Sequence, residues 1–313
     1  LPEYRAIREK ADFLTLCKTP ELAAEVTLQP VRILGVDAAI LFADILLPLR
    51  PMGVRVEFVK GEGPALSPAI RSARELARLR PVDPREGLGY VLEAIRLVRR
   101  ELDGKVPLIG FAGAPFTLAS YMIEGGPSRD YRHTKLMMRS QPALWRRLMS
   151  TLAGVAGEFL AAQAEAGAQA LQLFDSWAGA LSREDYARHV QPYSRAVLKR
   201  AAATGVPVIH FGTGTSHFLE EFRDAGGDVV GVDWRLPLGE AWRRVGRRAI
   251  QGNLDPTDLF LPRPELKRAV LRVLKEAGGK PGHIFNLGHG ILPQTPVGNV
   301  RAVVDWVRRA TAR

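Results

Sequence analysis

Short continuous apolar runs recur along the chain, and amphipathic stretches separate them. Seven of these runs predict strands, over residues 38–43, 106–112, 170–174, 206–211, 229–232, 248–251 and 283–286. Unbroken apolar runs are typical of parallel strands that are covered on both faces. Residues 54–59 predict either an eighth strand or a hairpin within the long insertion between Asp44 and Lys105.

Helix start and stop signals lie between the predicted strands. The sequence Asp83-Pro84-Arg85-Glu86 predicts an N-cap, a first-turn proline and a capping-box glutamate. A long helix is predicted over residues 142–166, where Gly167 would end it. Another helix is predicted to open at Pro264 and to end at Gly278. The alternation of strands and helices has no linker in it, which predicts one α/β domain over residues 1–313.

Polar side chains fall at or just past the carboxyl ends of different predicted strands. They are Asp44, Ser176, His210, Asp233, Asn253 and His289. In a barrel these strand ends converge on one mouth, whereas a doubly wound sheet spreads them along an edge. The pattern therefore favours a single-domain (β/α)8 TIM barrel with its chemistry at that mouth.

Composition limits the classes of protein. The apolar content of 46% and the charged content of 25% are ordinary for a globular protein. The longest apolar run, residues 38–49, is too short to span a bilayer, and the charged start does not resemble a signal peptide. The single cysteine, Cys17, excludes an internal disulfide and any zinc site that needs two thiolates of one chain. We expect a cytoplasmic protein without a membrane partner.

The net charge of +11 has two readings, and arginine dominates its basic side chains. The first is a solvated, arginine-rich surface. The second is a positive field that gathers a polyanionic substrate. Nucleic acid is not expected as a partner, because no basic block is interleaved with aromatic residues and no binding module is evident.

Asp44 is the most informative candidate residue, because it lies between two apolar runs. A carboxylate in such surroundings is costly unless something satisfies it. It is either a cap, the partner of a buried arginine, or a group that meets a ligand.

Other candidates each have a structural alternative. Tyr121 either binds a ligand or packs with its hydroxyl on a backbone carbonyl. Ser176 either lines the site or caps the next helix. His289, between two glycines, either reaches into the mouth or forms a hydrogen-bonded turn, and His210 is a candidate acid–base group or ligand. His283 is expected to be a satisfied core residue.

Several segments, taken in order, resemble the uroporphyrinogen decarboxylase family across essentially the whole chain. They are Leu1-Pro2-Glu3-Tyr4-Arg5, Leu28-Gln29-Pro30, Asp37-Ala38-Ala39-Ile40 with Asp44-Ile45-Leu46, Gly113-Ala114-Pro115, Tyr121-Met122-Ile123-Glu124-Gly125-Gly126, Gly252-Asn253-Leu254-Asp255-Pro256 and Asn286-Leu287-Gly288-His289-Gly290.

The resemblance implies a cytoplasmic (β/α)8 barrel, usually a homodimer, without a metal or organic cofactor. It implies that Asp44 is the catalytic carboxylate and faces the pyrrole nitrogens of a tetrapyrrole. It further implies that Arg8, Tyr121, Phe174, Ser176 and His289 bind that substrate. The family's arginine-containing segment before Leu1 is absent from the chain, and we expect that it was cut or not seen.

The implied reaction converts the four acetate side chains of uroporphyrinogen III to methyl groups and yields coproporphyrinogen III. A protonated pyrrole ring accepts the electrons of each departing carboxylate, as a cofactor would elsewhere. A fixed carboxylate stabilises the cationic ring.

Two alternatives remain at this point. A zinc-dependent methyltransferase of related fold needs a histidine–x–cysteine pair, and the corresponding place here reads His210-Phe211-Gly212. A non-catalytic tetrapyrrole-binding protein would not need a carboxylate at the ring nitrogens.

Overall fold

A computed structural model describes residues 1–59, 63–80 and 82–312. Seven parallel strands form one sheet, in the order β1-β4-β5-β6-β7-β8-β9. Their bounds are β1 Ala39–Ile40, β4 Leu108–Gly113, β5 Ala170–Asp175, β6 Val208–Gly212, β7 Val229–Gly231, β8 Ala249–Leu254 and β9 His283–Leu287. All seven predicted strands are therefore present.

The insertion after Asp44 forms a hairpin and not an eighth strand of the sheet. Strands β2 (Arg55–Val59) and β3 (Gly63–Ser67) pair antiparallel in a separate two-stranded sheet. The hairpin alternative is thus correct, and the parallel sheet has seven strands within the described ranges.

Helices connect the strands and cover their outer faces. Their bounds are α1 Pro2–Lys10, α2 Phe13–Lys18, α3 Pro20–Leu34, α4 Ala73–Leu76, α5 Pro84–Gly87, α6 Gly89–Leu102, α7 Pro115–Glu124, α8 Arg132–Ser140, α9 Pro142–Glu165, α10 Arg183–His189, α11 Gln191–Ala202, α12 Leu219–Ala225, α13 Leu238–Val245, α14 Arg263–Ala277 and α15 Val297–Thr311. Asp83 caps α5 through the amide of Arg85, as predicted. Gly278 ends α14 with a positive φ, as the sequence also predicted. None of these helices has the length and apolarity needed to cross a membrane, as far as the described residues go.

The sheet curls so that strands distant in its order meet across its concave side. The side-chain amide of Gln251 in β8 donates to Gln172 Oε1 in β5 at 3.3 Å, although β6 and β7 lie between these strands. The two edges of the sheet are bridged by helices, because Arg301 of α15 donates to the carbonyl of Ile33 in α3 at 3.0 Å. The fold class is therefore α/β of the barrel type, as expected.

Alternate side chains of the strands fill the concave side. Phe174 is level with Phe211 in the strand register, and its ring centroid lies 5.7 Å from that of Phe211 and 5.4 Å from that of Phe111. Leu171 and Leu173 have the opposite orientation and are fully buried beneath the helices. This alternation leaves an aromatic layer below the carboxyl ends of the strands.

Candidate active site

Asp44 lies four residues past the end of β1 and begins a turn. Strand β1 is short, because the amide of Phe42 is bound by the Thr27 hydroxyl at 2.8 Å and not by a neighbouring strand. One carboxylate oxygen of Asp44, Oδ1, accepts the amide of Leu46 at 2.7 Å. Asp44 thus fixes a turn and does not cap a helix, since the helical turn Leu47–Leu49 has Leu46 as its N-cap and no side-chain cap. This local role occupies one of the two oxygens.

The second oxygen of Asp44 has no hydrogen bond to any described residue, and the carboxylate has no ion pair among them either. Burial raises the pKa of Asp44 to about 6, and the Leu46 amide opposes this shift only in part. The group is therefore mostly ionised at neutral pH while lacking a cation to compensate it. Such a carboxylate favours a ligand that brings N–H donors or positive charge.

Tyr121 of α7 lies near Asp44, and it is held by an aromatic contact. Its ring centroid is 3.9 Å from that of Trp177, which follows β5. Burial, together with the nearby carboxylate of Asp44, raises the pKa of the Tyr121 hydroxyl. The hydroxyl has no hydrogen bond within the described ranges, contrary to the alternative in which it serves a backbone carbonyl.

Phe174 and Ser176 lie close to Trp177, the ring partner of Tyr121, because all three belong to the segment at the end of β5. Phe174 ends the aromatic layer on β5, where it is partly exposed. Ser176 follows two residues later, and its carbonyl accepts the hydroxyl of Thr213 at 2.5 Å, which ties the loop after β5 to the loop after β6. The next turn, Ala178–Ala180, begins at Trp177 without a side-chain cap, so the Ser176 hydroxyl does not serve it.

The loops after β6 and β7 and the end of β8 are joined by a buried carboxylate and a buried amide. Asp233 Oδ2 accepts the amide of Gly214 at 2.5 Å, and its Oδ1 accepts the amide of Arg235 at 3.1 Å. The side-chain amide of Asn253 donates to the carbonyls of Asp233 and Leu236 at 2.9 and 2.7 Å. Asp233 and Asn253 therefore shape the mouth and bind its loops together.

His289 is exposed in the loop after β9. That loop is seated on the segment after β7, since a Cβ on Gly288 would lie 2.7 Å from the backbone nitrogen of Trp234. Beyond His289, the carbonyl of Pro293 accepts the guanidinium of Arg5 in α1 at 2.9 Å. The loop thus connects the β7 side of the mouth to the first helix.

Arg8 lies on α1, where its guanidinium donates to the carbonyl of Ala11 at 2.6 Å and its Cζ is 5.7 Å from the Phe13 ring centroid. Arg8 and Asp44 both act on the thiol of Cys17, with opposite effects. The net result, dominated by burial, raises the pKa of Cys17 to about 12. Arg8 therefore lies within electrostatic range of the surroundings of Asp44.

A sequence profile described as uroporphyrinogen decarboxylase (URO-D) matches residues 1–310. The chain belongs to the uroporphyrinogen decarboxylase family. A uroporphyrinogen decarboxylase of Sorangium cellulosum is 62% identical over 308 residues, which cover 98% of this chain and 88% of that protein. One of Carboxydothermus hydrogenoformans is 53% identical over 313 residues, which cover 100% of this chain and 89% of that protein.

Solved structures of more distant proteins share the fold of this uroporphyrinogen decarboxylase family member. A methyltransferase from Methanosarcina mazei superposes with a TM-score of 0.76 at 21% identity, covering 94% of this chain and 87% of that one. A B12-independent methionine synthase from Shewanella superposes with a TM-score of 0.62 at 11% identity, covering 93% of this chain and 88% of that one. These likenesses concern the barrel alone. Across the described ranges, no three His, Cys, Asp or Glu side chains gather as a metal site.

His210 does not reach the mouth of this barrel. It lies within β6 on the outer face of the sheet, where its ring stacks on Phe222 of α12 with centroids 3.7 Å apart. It is fully buried, 3.6 Å from the carboxylate of Asp175. The candidate acid–base role is therefore wrong for geometric reasons, because its neighbours in the strand, Ile209 and Phe211, occupy the inner face. His283 bonds the carbonyl of Gly252 at 2.9 Å, which fits the core role expected of it.

Two residues at the mouth of this family member were missed by sequence reasoning. Trp177 stacks on Tyr121, and Arg235 binds Asp233. Trp177 directly follows Ser176, and Arg235 lies two residues after Asp233. Ser176 and Asp233 were both identified from the sequence. The available signal for Trp177 was an aromatic side chain beside a polar strand end, whereas Arg235 had no comparable signal because basic residues are common along the chain.

Proposed function

We propose that Asp44 binds the pyrrole N–H groups of uroporphyrinogen during its decarboxylation, the reaction that follows from the family of this chain. The observation that carries the proposal is the free oxygen of Asp44 in apolar surroundings without a cation. Pyrrole N–H groups donate to such an oxygen, and a cationic ring compensates its charge. The four acetates of uroporphyrinogen III become methyl groups, and the product is coproporphyrinogen III.

Each decarboxylation is balanced by one proton and needs no external electron acceptor. A pyrrole ring takes up a proton and becomes cationic, and the bond between the acetate methylene and its carboxylate then breaks. The electron pair of that bond neutralises the ring and CO2 leaves. Protonation of the methylene carbon and loss of the first proton from the ring restore the pyrrole and leave a methyl group. Asp44 stabilises the cationic intermediate in this sequence, which requires that it be ionised.

The remaining candidates bind the periphery of the substrate in this proposal. Phe174 supports the face of the macrocycle, and the Tyr121 hydroxyl and Ser176 meet it as hydrogen-bonding groups. Arg8 meets its carboxylates from α1, and His289 meets them from the loop after β9, which the Arg5 contact joins to α1. What supports these binding roles is the position of the residues around the mouth that contains Asp44, which follows from the contacts described above.

The decisive experiment is anaerobic incubation of Asp44→Asn with uroporphyrinogen III. Because asparagine keeps an acceptor for the Leu46 amide but lacks the charge, we expect turnover to fall by about 10²- to 10³-fold. CO2 release and the carboxylate count of the products measure it. Asp37→Asn is the matched control, since Asp37 is an exposed carboxylate whose partner is Arg308 at the opposite edge of the sheet. Turnover by the Asp44 variant equal to that of the control would contradict the proposal.

We also propose, from the family resemblance, a cytoplasmic homodimer that works without a metal or organic cofactor. The single cysteine is free and buried, which suits a reducing compartment. Light scattering on purified protein tests the oligomeric state. A mass that stays at the 34.4 kDa of one chain at micromolar concentration would contradict the dimer.

A further inference from the structure

Arg235 is an exposed arginine held in a fixed position at the mouth. Its side chain is 51% exposed, while the carboxylate of Asp233 beside it is 4% exposed. The guanidinium forms an ion pair with Asp233 Oδ2, and its Cζ lies 4.6 Å from the centroid of the Trp234 ring. A long side chain on a solvated surface would normally keep its rotamer freedom, so these two contacts preorganise it.

The position of Asp233 is itself fixed from several sides. Its two oxygens accept the amides of Gly214 and Arg235, and Asn253 binds its carbonyl. The Asp233 carboxylate occupies one edge of the Arg235 guanidinium. Within the part of the chain that the structure describes, the remaining N–H groups of that guanidinium have no further partner. They are therefore available to a ligand.

Arg235 and Asp44 lie on opposite sides of the mouth. Strand β7, which precedes Arg235, is the fifth of seven in the sheet order that starts at β1, the strand before Asp44. The sheet curls so that β5 and β8 meet across its concave side. A macrocycle whose central nitrogens face Asp44 consequently directs peripheral groups toward the strand ends on the far side. His289 is close to that place, because Gly288 packs on Trp234.

We propose that Arg235 binds a peripheral carboxylate of the tetrapyrrole, as a specificity-determining residue for polyacid substrates. The proposal rests on the proposed function of the same mouth. Arginine presents a planar fork that matches a carboxylate in two parallel hydrogen bonds, which lysine does not offer. The Trp234 ring and the buried Asp233 hold that fork in place before substrate arrives, which reduces the ordering cost of binding.

The test compares the binding of uroporphyrin, the oxidised octacarboxylate macrocycle, to four proteins by porphyrin fluorescence. They are the unaltered chain, Arg235→Gln, Arg235→Lys and Arg268→Gln. Arg268 is the matched control, because it is an exposed arginine paired with Glu265 on the outer helix α14. We expect Kd to rise about tenfold for Arg235→Gln and about threefold for Arg235→Lys, whose charge remains without the fork. Arg268→Gln should stay within about twofold of the unaltered chain.

Kinetics separate binding from a structural role. With uroporphyrinogen as substrate, Arg235→Gln should raise KM with little change in kcat, because the carboxylate it binds is not the reacting bond. A Kd for Arg235→Gln equal to that of Arg268→Gln would overturn the assignment. Equal losses for both Arg235 variants together with a lower Tm would also overturn it, since they would show that Arg235 only supports the loop.

If the proposed decarboxylation is wrong, CO2 release and uroporphyrin binding give a different combination of results. An unaltered chain that releases no CO2 but binds uroporphyrin contradicts the decarboxylation, and the four Kd values still decide the role of Arg235. An unaltered chain that binds no uroporphyrin overturns the assignment of Arg235 as well.

Discussion

At the scale of single residues, Asp44 divides its carboxylate between two tasks. Oδ1 accepts the Leu46 amide and fixes the turn, and Oδ2 has no hydrogen bond to a described residue. A local role and a ligand-binding role stood as alternatives in the sequence, and the structure is compatible with both because each role can use a different oxygen. The turn fixes the carboxylate in place, and its burial sets the pH at which it ionises.

The first prediction concerns the pH dependence of turnover. Because burial raises the pKa of Asp44 to about 6 and catalysis requires the ionised form, kcat/KM should rise with pH, reach half its plateau near pH 6 and level off above about pH 7. Initial rates between pH 5 and 8 measure this limb, and kcat/KM reports the ionisation in the free protein. A profile that stays flat down to pH 5 would show that ionised Asp44 is not required.

The second prediction concerns the stability of Asp44→Asn. The pKa of Asp44 is higher in the folded chain than its ordinary value of 3.8, so the folded chain binds more protons between those values and loses stability as pH rises through them. Removing the charge should therefore raise the free energy of unfolding above pH 6, by on the order of 2 kcal/mol. Urea unfolding at pH 8 and at pH 4 measures it.

The expected difference between Asp44→Asn and the unaltered chain is large at pH 8 and small at pH 4. Equal differences at both pH values would show that the ionised carboxylate is compensated in the folded chain. A residue that weakens the fold at neutral pH and is retained at the mouth is typical of a functional site.

At the scale of elements, Gly288 seats the β9 loop on the β7 loop. A Cβ there would approach the backbone nitrogen of Trp234 to 2.7 Å, whereas a Cβ on Gly290 would meet nothing within 4 Å. Gly288→Ala should therefore displace His289 and lower the free energy of unfolding by about 1–3 kcal/mol. KM for uroporphyrinogen should rise several-fold.

Gly290→Ala is the control for this substitution, because it makes the same chemical change two residues away in the same loop. We expect it to leave KM and stability nearly unchanged. Thermal unfolding and steady-state kinetics on both variants decide the matter. Similar behaviour of the two variants would show that the contact with Trp234 does not position the loop.

The elements themselves were largely predictable from local pattern. Continuous apolar runs gave the strands, and Asp83 and Gly278 marked helix boundaries because capping is a local interaction. The orientation of side chains within a strand was less accessible. His210 looked like a mouth residue because it ends an apolar run, but β6 extends two residues past it and the alternation of faces turns it outward. Continuous burial on both faces hides that alternation in the sequence.

The candidate site shows the same division. Asp44 stood out because a carboxylate interrupts an apolar run, Ser176 and His289 because they follow predicted strands, and the resemblance supplied Arg8 and Phe174. Arg235 was not identified, because one arginine among many has no distinctive sequence context. Only its contacts with Asp233 and Trp234 distinguish it from a solvated surface residue.

At the scale of the whole molecule, helices α3 and α15 hold the two edges of the sheet together. Arg308 of α15 pairs with Asp37, which precedes β1, but these side chains are 51% and 75% exposed. Exposed pairs contribute about 0–1 kcal/mol, so the position of α15 depends mainly on its apolar side. Val303 belongs to that side and is buried in the same apolar cluster as Val270 of α14.

At this scale, the apolar packing of α15 should contribute more to stability than the Arg308–Asp37 ion pair. Val303→Ala should lower the free energy of unfolding by about 1–3 kcal/mol, because it leaves a cavity where the helix packs. Arg308→Gln should change it by less than about 1 kcal/mol. Urea denaturation of both variants measures the difference. A larger loss for Arg308→Gln would show that the ion pair, and not packing, holds α15 in place.

The aromatic layer inside the barrel also limits how deeply a substrate can enter. Phe111, Phe174 and Phe211 pack against one another on the concave side of the sheet, where a side-chain hydrogen bond joins Gln172 and Gln251. We expect this layer to stop a broad, disc-like substrate at the rim of the barrel. Its peripheral carboxylates would then lie at the height of the loops, where the chain presents its polar groups, and rotation of the disc in the plane of the opening would bring successive acetates to Asp44.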